Sequence, residues 1–316
     1  MRIVQNKLEN SITMQERESE ILVAIHCLVY NHEPYLRDCF EGFVMQKTNF
    51  RFVAIVHEDG STDHSADIIR EYEAKYPDIF RPIYETENQW HKTDGSLGRI
   101  MNAAIDATGA KYIAMCEGDD YWTDPYKLQK QVDYMESHPD YVACFHNAVI
   151  DYGNSKRLFN SLTENHYPTT EDIIERQWFI STQTLLYRNL HLKCPEWGYK
   201  VINGDYLNEL FLAKEGKFYY MDDVMAVYRR YGQGVSVALN ANRTKLYDGL
   251  IYLLSNMKEY YAGAYADSFD KSIANYEKMK QDSLKELYYE QHPLARAFRL
   301  KTYKRMIKSW LKKILR

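Results

Sequence analysis

No stretch of this 316-residue chain approaches the ~20 consecutive apolar residues that cross a bilayer. The first residues, Met1 to Glu20, are polar and lack the apolar core of a secretory leader. A spanning protein and an exported one are both disfavoured. Cysteine is sparse, at five, and Cys27, Cys39, Cys116, Cys144 and Cys194 form no C-x-x-C pair. That spacing speaks against a zinc site or a disulfide framework, and for buried reduced thiols in a cytoplasmic protein. Internal repeats and low-complexity linkers are missing too. From Pro293 onward no acidic residue occurs, although nine basic ones do (Arg296, Arg299, Lys301, Lys304, Arg305, Lys308, Lys312, Lys313 and Arg316).

The rest of the chain carries 31 basic against 44 acidic residues, so an acidic body bears a basic tail. In that tail Leu294, Phe298, Met306, Ile307, Trp310, Leu311, Ile314 and Leu315 recur mostly on one helical face. A basic amphipathic helix containing Trp reads as an interfacial anchor, each cation near an anionic surface adding ~1 kcal/mol. Packing on the acidic body is the alternative. Peripheral attachment to the inner face of the cytoplasmic membrane is expected, and nucleic acid is not, since no basic stripe appears elsewhere. Hydrophobic content of 45% and charged content of 27% fit an ordinary globular domain, and the length fits one large α/β domain with an appendage. Tyrosine is abundant, at 28, and can cover half-wet surfaces or stack on sugars or bases.

Along the chain, strands are expected at 21–30, 52–57, 80–84 and 111–116. Helices are expected at 34–45, with Asn31 as cap, at about 61–76, capped by Ser61-Thr62-Asp63, at 97–107 and at 125–137. This alternation predicts a mostly parallel sheet flanked by helices. Strand-like pieces follow at 141–150, 182–187 and 218–227, with a helix near 206–214 and a helical pattern from Leu239 on. The division expected is a polar segment 1–20, an α/β domain 21–235 and a helical C-terminal region 236–316.

Three polar clusters follow strands directly: Asn31-His32-Glu33, Glu58-Asp59-Gly60-Ser61 and Glu117-Gly118-Asp119-Asp120. Open α/β sheets bind ligands at that carboxyl edge. Asp59 can accept from a ribose hydroxyl or a base N–H, and Gly60 permits a tight turn. Three carboxylates within four residues repel one another and want a cation or shifted pKa values. Oxygen ligands suit Mg²⁺ or Mn²⁺, and a Mg²⁺ site commonly combines one or two carboxylates with substrate phosphates. Asp119 and Asp120 are the expected metal ligands. Arg99 and Asn102, on the helix before the acidic strand, suit diphosphate or ribose contacts, or are surface positions. Trp90, Trp122, Trp178 and Trp197 stack on acceptor sugars or pack in the core. A glycine- and lysine-rich phosphate loop is absent after the first strand, where Asn31-His32-Glu33-Pro34 stands. That counts against a nucleotidyltransferase.

These motifs, in this order, resemble family 2 glycosyltransferases of the GT-A fold. Val23 to Asn31 matches that family's first strand, ending in Tyr-Asn. Glu58-Asp59-Gly60-Ser61-Thr62-Asp63 resembles its D-D-G-S-x-D nucleotide motif, and Glu117-Gly118-Asp119-Asp120 its D-x-D-D metal motif. Gly204-Asp205-Tyr206 resembles its E-D motif, and Tyr228-Arg229-Arg230-Tyr231-Gly232 its closing Y-R-x-H segment. Glu58 and Glu117 replace the first Asp of their motifs, and Tyr231 stands where many members have His. The resemblance implies a Rossmann-like GT-A domain and inverting sugar transfer from a nucleotide-diphosphate sugar, a UDP-sugar foremost. The acceptor would be a saccharide or lipid-linked saccharide of bacterial surface polysaccharide or glycolipid synthesis. It implies Tyr30, Asn31, Glu33, Asp59, Arg99 and Asp119 at the nucleotide, and Asp119 and Asp120 on Mg²⁺ or Mn²⁺. Asp205 would be the general base, and Arg229, Arg230 and Tyr231 would meet the diphosphate. Without the resemblance, Asn203-Gly204-Asp205 reads as a helix cap. A non-catalytic sugar-nucleotide-binding or membrane-scaffold protein with a degraded metal site is the alternative function.

Overall fold

The computed structural model describes residues 20–161, 166–176, 179–230 and 242–292. Tyr231, Trp178, nearly all of the polar 1–20 segment and the basic amphipathic segment from Pro293 lie outside the described residues. The chain divides into two compact units, Met1–Gly234 and Val235–Arg316.

The first unit begins as the alternation demands. β1 (Ile21–Val29), α1 (Leu36–Val44), β2 (Arg51–Glu58), α2 (Ser65–Lys75), β3 (Phe80–Tyr84), α3 (Ser96–Asp106) and β4 (Tyr112–Met115) follow in order. Then come β5 (Tyr121–Trp122), α4 (Lys127–Ser137), β6 (Tyr141–Asp151), β7 (Lys156–Leu158), α5 (Thr170–Glu175), β8 (Leu186–Arg188), α6 (Gly204–Glu215) and β9 (Lys217–Arg229). The sheet order is β3-β2-β1-β4-β8-β6-β9-β5, with β7 pairing β6. The β3-β2-β1-β4 half is parallel. Past β4, β8 runs antiparallel to both its neighbours, while β6 and β9 pair in parallel. Residues 182–187, expected as strand, split into a 3-10 turn, Thr182–Thr184, and the short β8. The polar run Ser181-Thr182-Gln183-Thr184 explains this, because its hydroxyls and amide bond locally. Thr184 donates to the Ser181 carbonyl at 2.6 Å and Ser181 to Gln183 Oε1 at 2.7 Å.

β1 buries Val23, Ala24, Ile25, Cys27 and Val29, as a parallel strand covered on both faces must. Below it α1 sets Phe40 against Phe80 (4.9 Å between centroids) and Tyr72 (5.1 Å), and Phe43 against Trp122 (4.9 Å). Trp122 is therefore a core residue. All five cysteines are free thiols, and four are buried.

The second unit contains α7 (Arg243–Tyr260) and α8 (Ala266–Gln291). Tyr261 packs on Phe269 at 5.2 Å, and ion pairs join Lys258 to Asp270 and Lys280 to Asp248. Among the described residues no helix is long and apolar enough to cross a membrane.

Candidate active site

Three turns leave the carboxyl ends of β1, β2 and β4 on the same edge of the sheet. The first two are laced together. Gly60, at φ 72°, reverses the chain after Asp59 and brings residues 61–63 beside residues 31–33. The Asn31 N–H donates to Ser61 Oγ at 3.0 Å, and Asn31 Oδ1 accepts from the Thr62 N–H at 2.8 Å. Asp63 accepts from the N–H groups of Glu33 (3.0 Å) and Ser65 (2.9 Å), and Glu33 accepts from that of His64 (3.1 Å). Asn31 does not cap α1, whose N-cap is Tyr35, whereas at α2 the N-cap position is His64 and Asp63 holds the first helical N–H, that of Ser65. Glu33 also borders an open hollow of about 480 Å³ whose charges pair with one another, Arg37 with Glu71 and His64 with Asp67.

Asp59 directly follows β2 and is only 4% exposed. Its Oδ1 accepts from the Gln89 N–H at 2.7 Å and its Oδ2 from the Trp90 N–H at 3.2 Å. Tyr30 stands beside it at the end of β1, edge-on to His91 at 6.0 Å. Arg99, on α3, donates to the Asp94 carbonyl at 2.6 Å and lies 4.6 Å over the Tyr199 ring.

The acidic turn continues from β4 along β1. The Cys116 N–H donates to His26 and the Gly118 N–H to Leu28, both at 3.0 Å. Gly118 fits because it lacks a Cβ, which would lie 2.8 Å from His32 Nδ1, 2.9 Å from Leu36 Cδ2 and 3.0 Å from Val29 Cγ2. Those neighbours are packed, so Gly118→Ala is expected to cost about 1–3 kcal/mol by overpacking. Denaturant unfolding checks this, and an unchanged midpoint would show that the turn relaxes freely.

Beyond Gly118, Asp120 is buried and its Oδ1 accepts from the Arg229 N–H at 2.7 Å. The Arg229 side chain is 6% exposed. Its guanidinium donates to the Asp119 carbonyl at 2.9 Å, pairs with Asp38 and lies 4.4 Å over the Tyr121 ring. The described structure thus engages Arg229 with the protein itself, and leaves exposed Arg230 on the rim, its N–H on Asp151 at 2.8 Å.

Asp205 reaches this place through a relay. The Trp122 indole N–H donates to the Gln183 carbonyl at 2.8 Å, and the adjacent Thr182 hydroxyl donates to Asp205 Oδ2 at 2.7 Å. The helix cap is Asn203, whose Oδ1 accepts from the Tyr206 N–H at 3.3 Å. Asp205 is thereby released from capping, which corrects the sequence-only reading of that residue.

Burial raises the carboxyl pKa of Glu117, and the neighbouring charges of Asp205 and Asp119 raise it further. Burial likewise raises Asp120, with Asp119 next in effect. Asp205 is raised by burial against the lowering hydrogen bond from Thr182, and Glu209 by burial and then by Asp205. Glu117, Asp119, Asp120 and Asp205 are therefore one electrostatic cluster, whereas Asp59 is occupied with the 89–90 amides. Among the described residues no three His, Cys, Asp or Glu side chains are already grouped as a metal ligand set. The donor chemistry nevertheless fits a hard divalent cation. The carboxylates are crowded, one oxygen of Asp120 has no hydrogen bond among the described residues, and the nearby guanidinium is engaged elsewhere.

Thr182, Gln183 and Glu209 were not legible from motif spacing, and Trp90 was read only as an acceptor-sugar or core position. For the first two, the signal was four consecutive polar residues, 181–184, between Phe179-Ile180 and Leu185-Leu186.

Known proteins share this fold. The sequence model of the family described as Glycosyl transferase family 2 matches residues 25–209. An uncharacterized protein of Mycobacterium tuberculosis is 33% identical over 228 residues, 72% of this chain and 64% of its own length. The chain thus spans less than two thirds of that relative. Among solved structures, S. aureus TarS 1-349 in complex with UDP-GlcNAc superposes with a TM-score of 0.58 at 14% identity, over 81% of this chain and 71% of that one. Mannosyltransferase PcManGT from Pyrobaculum calidifontis, in complex with GDP-Man and Mn2+, gives 0.54 at 12% identity, over 82% and 74%. The GT-A-like α/β architecture expected from the sequence is the one observed.

Proposed function

The chain belongs to glycosyl transferase family 2, and from that premise we propose that it transfers a sugar, with inversion, from a nucleotide-diphosphate sugar to an acceptor hydroxyl. The observation that carries this reading is the relay Trp122–Gln183–Thr182–Asp205. It ties a half-buried carboxylate on α6 to the strand that follows the acidic turn, across 83 residues of sequence between Trp122 and Asp205. The ligands of the solved neighbours, UDP-GlcNAc and GDP-Man, support the nucleotide-sugar class.

In this mechanism the nucleoside lies over the ends of β1 and β2, near Tyr30, Asn31 and Asp59. The diphosphate points toward Asp119 and the β4 turn, with Arg99 and Arg230 at its margins. A divalent cation held by Asp119 and Asp120 would supply charge neutralisation at the departing diphosphate. Asp205 accepts the proton of the acceptor hydroxyl as its oxygen bonds to the anomeric carbon. The bond from that carbon to the diphosphate oxygen breaks on the opposite face, and the electron pair leaves with the nucleoside diphosphate. A single displacement inverts the centre. Burial raises the pKa of Asp205, which makes it a stronger base than an exposed aspartate. A saccharide or lipid-linked acceptor in surface polysaccharide or glycolipid synthesis suits the basic amphipathic segment from Pro293, which would hold the enzyme at a membrane.

Incubating the full chain with a panel of UDP- and GDP-sugars, with Mg²⁺ or Mn²⁺ and candidate acceptors, tests the reading. Release of nucleoside diphosphate from one donor, abolished by chelator, is expected. A chain that neither binds nor turns over any donor would overturn it.

A further inference from the structure

The carboxylate that the resemblance assigns to the nucleoside is already engaged by protein. Asp59 is almost wholly buried, and each of its oxygens accepts a main-chain N–H, from Gln89 and Trp90. What it holds is a well-built loop. The Glu85 N–H donates to the Glu58 carbonyl at 2.9 Å. Gln89 Nε2 reaches Glu85 at 3.0 Å and the Glu87 carbonyl at 3.1 Å, and the His91 N–H donates to Asn88 at 2.8 Å. A Cβ on Gly60 would lie 3.0 Å from the Glu87 carbonyl carbon, so the loop sits directly on the Asp59 turn. At its crest Trp90 is 48% exposed, an unusual position for an indole on such a rigid base. His91 lies edge-on to Trp90 at 5.4 Å and to Tyr30 at 6.0 Å, and Tyr30 is itself 37% exposed. Three aromatic rings therefore line the sheet edge where β1 and β2 end.

We propose that the nucleobase of the donor stacks on Trp90, and that Asp59 is a positioning residue that holds this indole in place and does not read the base directly. The inference rests on the nucleotide-sugar reading above. An aromatic ring offers a face to any base, so affinity from Trp90 is tolerant of base identity.

Calorimetric titration of the full chain with UDP and GDP, in the presence of Mg²⁺, tests it. Trp90→Ala is expected to weaken binding at least about fivefold, the lower end of base-stacking losses. UDP is expected to quench tryptophan emission in the wild-type chain, and Trp90→Phe should stay within about threefold of wild-type affinity and lose that quench. Asp59→Asn, which cannot accept both amides, should weaken UDP by about the same factor as Trp90→Ala. In the Trp90→Ala background it should add nothing, because a residue acting through Trp90 has nothing left to position. Wild-type affinity in Trp90→Ala would overturn the stacking assignment. Additive losses in the double variant would overturn the positioning role and return Asp59 to the base. Absence of binding in the wild-type chain would instead overturn the nucleotide-sugar reading, and this inference with it.

Discussion

Replacing Asp205 with asparagine is expected to lower the transfer rate by about 10²–10⁴, the usual range for loss of a positioned general base, while UDP affinity stays within about threefold. Asparagine keeps the size of the side chain and an oxygen that can accept from Thr182, which now bonds Oδ2 at 2.7 Å. The helix keeps its cap, since Asn203 provides it. Folding should therefore be intact, and the loss should fall on kcat. The pH profile gives a second readout. Asp205 works only when ionised, and burial raises its pKa above the ordinary 3.8. The wild-type rate must fall as pH drops through that raised value, on the neutral side of an exposed aspartate. The hydrogen bond from Thr182 opposes the shift, so Thr182→Val should move the acid limb to still higher pH while retaining activity on the alkaline side. Transfer near the wild-type rate in Asp205→Asn, or an acid limb unmoved in Thr182→Val, would remove Asp205 from the base role.

The sequence made the parallel half of this sheet legible because its strands are apolar on both faces and alternate with helices, a pattern local enough to read. Phe80–Tyr84 was expected to the residue, and β1, β2 and β4 to within one residue at each end. The antiparallel half was harder. β8 is three residues long and takes its place from pairing with β4 and β6, which no local pattern encodes. The site divides in the same way. The acidic turn was visible because three carboxylates after a buried strand have no ordinary structural use. The relay to Asp205 was not, because it depends on a Trp122 indole meeting a main-chain carbonyl 61 residues away. Asp59 shows the opposite limit. A motif located it at the sheet edge, but only coordinates reveal that both its oxygens already face the Gln89 and Trp90 amides.

Arg229→Met is expected to destabilise the protein by about 2–4 kcal/mol and to lower transfer at least tenfold. The magnitudes decide which contact matters. Asp38 is 62% exposed, so its pair with Arg229 is worth at most about 1 kcal/mol. The hydrogen bond from a buried guanidinium to the Asp119 carbonyl is worth about 1.5–3 kcal/mol, and the contact with the Tyr121 ring adds about 0.5–2 kcal/mol. The control Asp38→Asn should accordingly cost under about 1 kcal/mol. Methionine fills much of the arginine volume and leaves the Arg229 N–H on Asp120 untouched, so the remaining loss reports the guanidinium alone. Freed from it, the Asp119–Asp120 peptide loses its fixed orientation, and donor affinity in Mg²⁺ should fall together with the unfolding midpoint. Arg229→Lys should recover little, since an ammonium cannot span the carbonyl, the carboxylate and the ring at once. A guanidinium that instead bound the diphosphate would behave differently. Arg229→Met would then weaken UDP with its unfolding midpoint unchanged, and Arg229→Lys would restore much of the affinity through charge. Chemical denaturation and UDP titration of the three variants separate the two roles, because only a scaffold arginine couples the loss of ligand to the loss of fold.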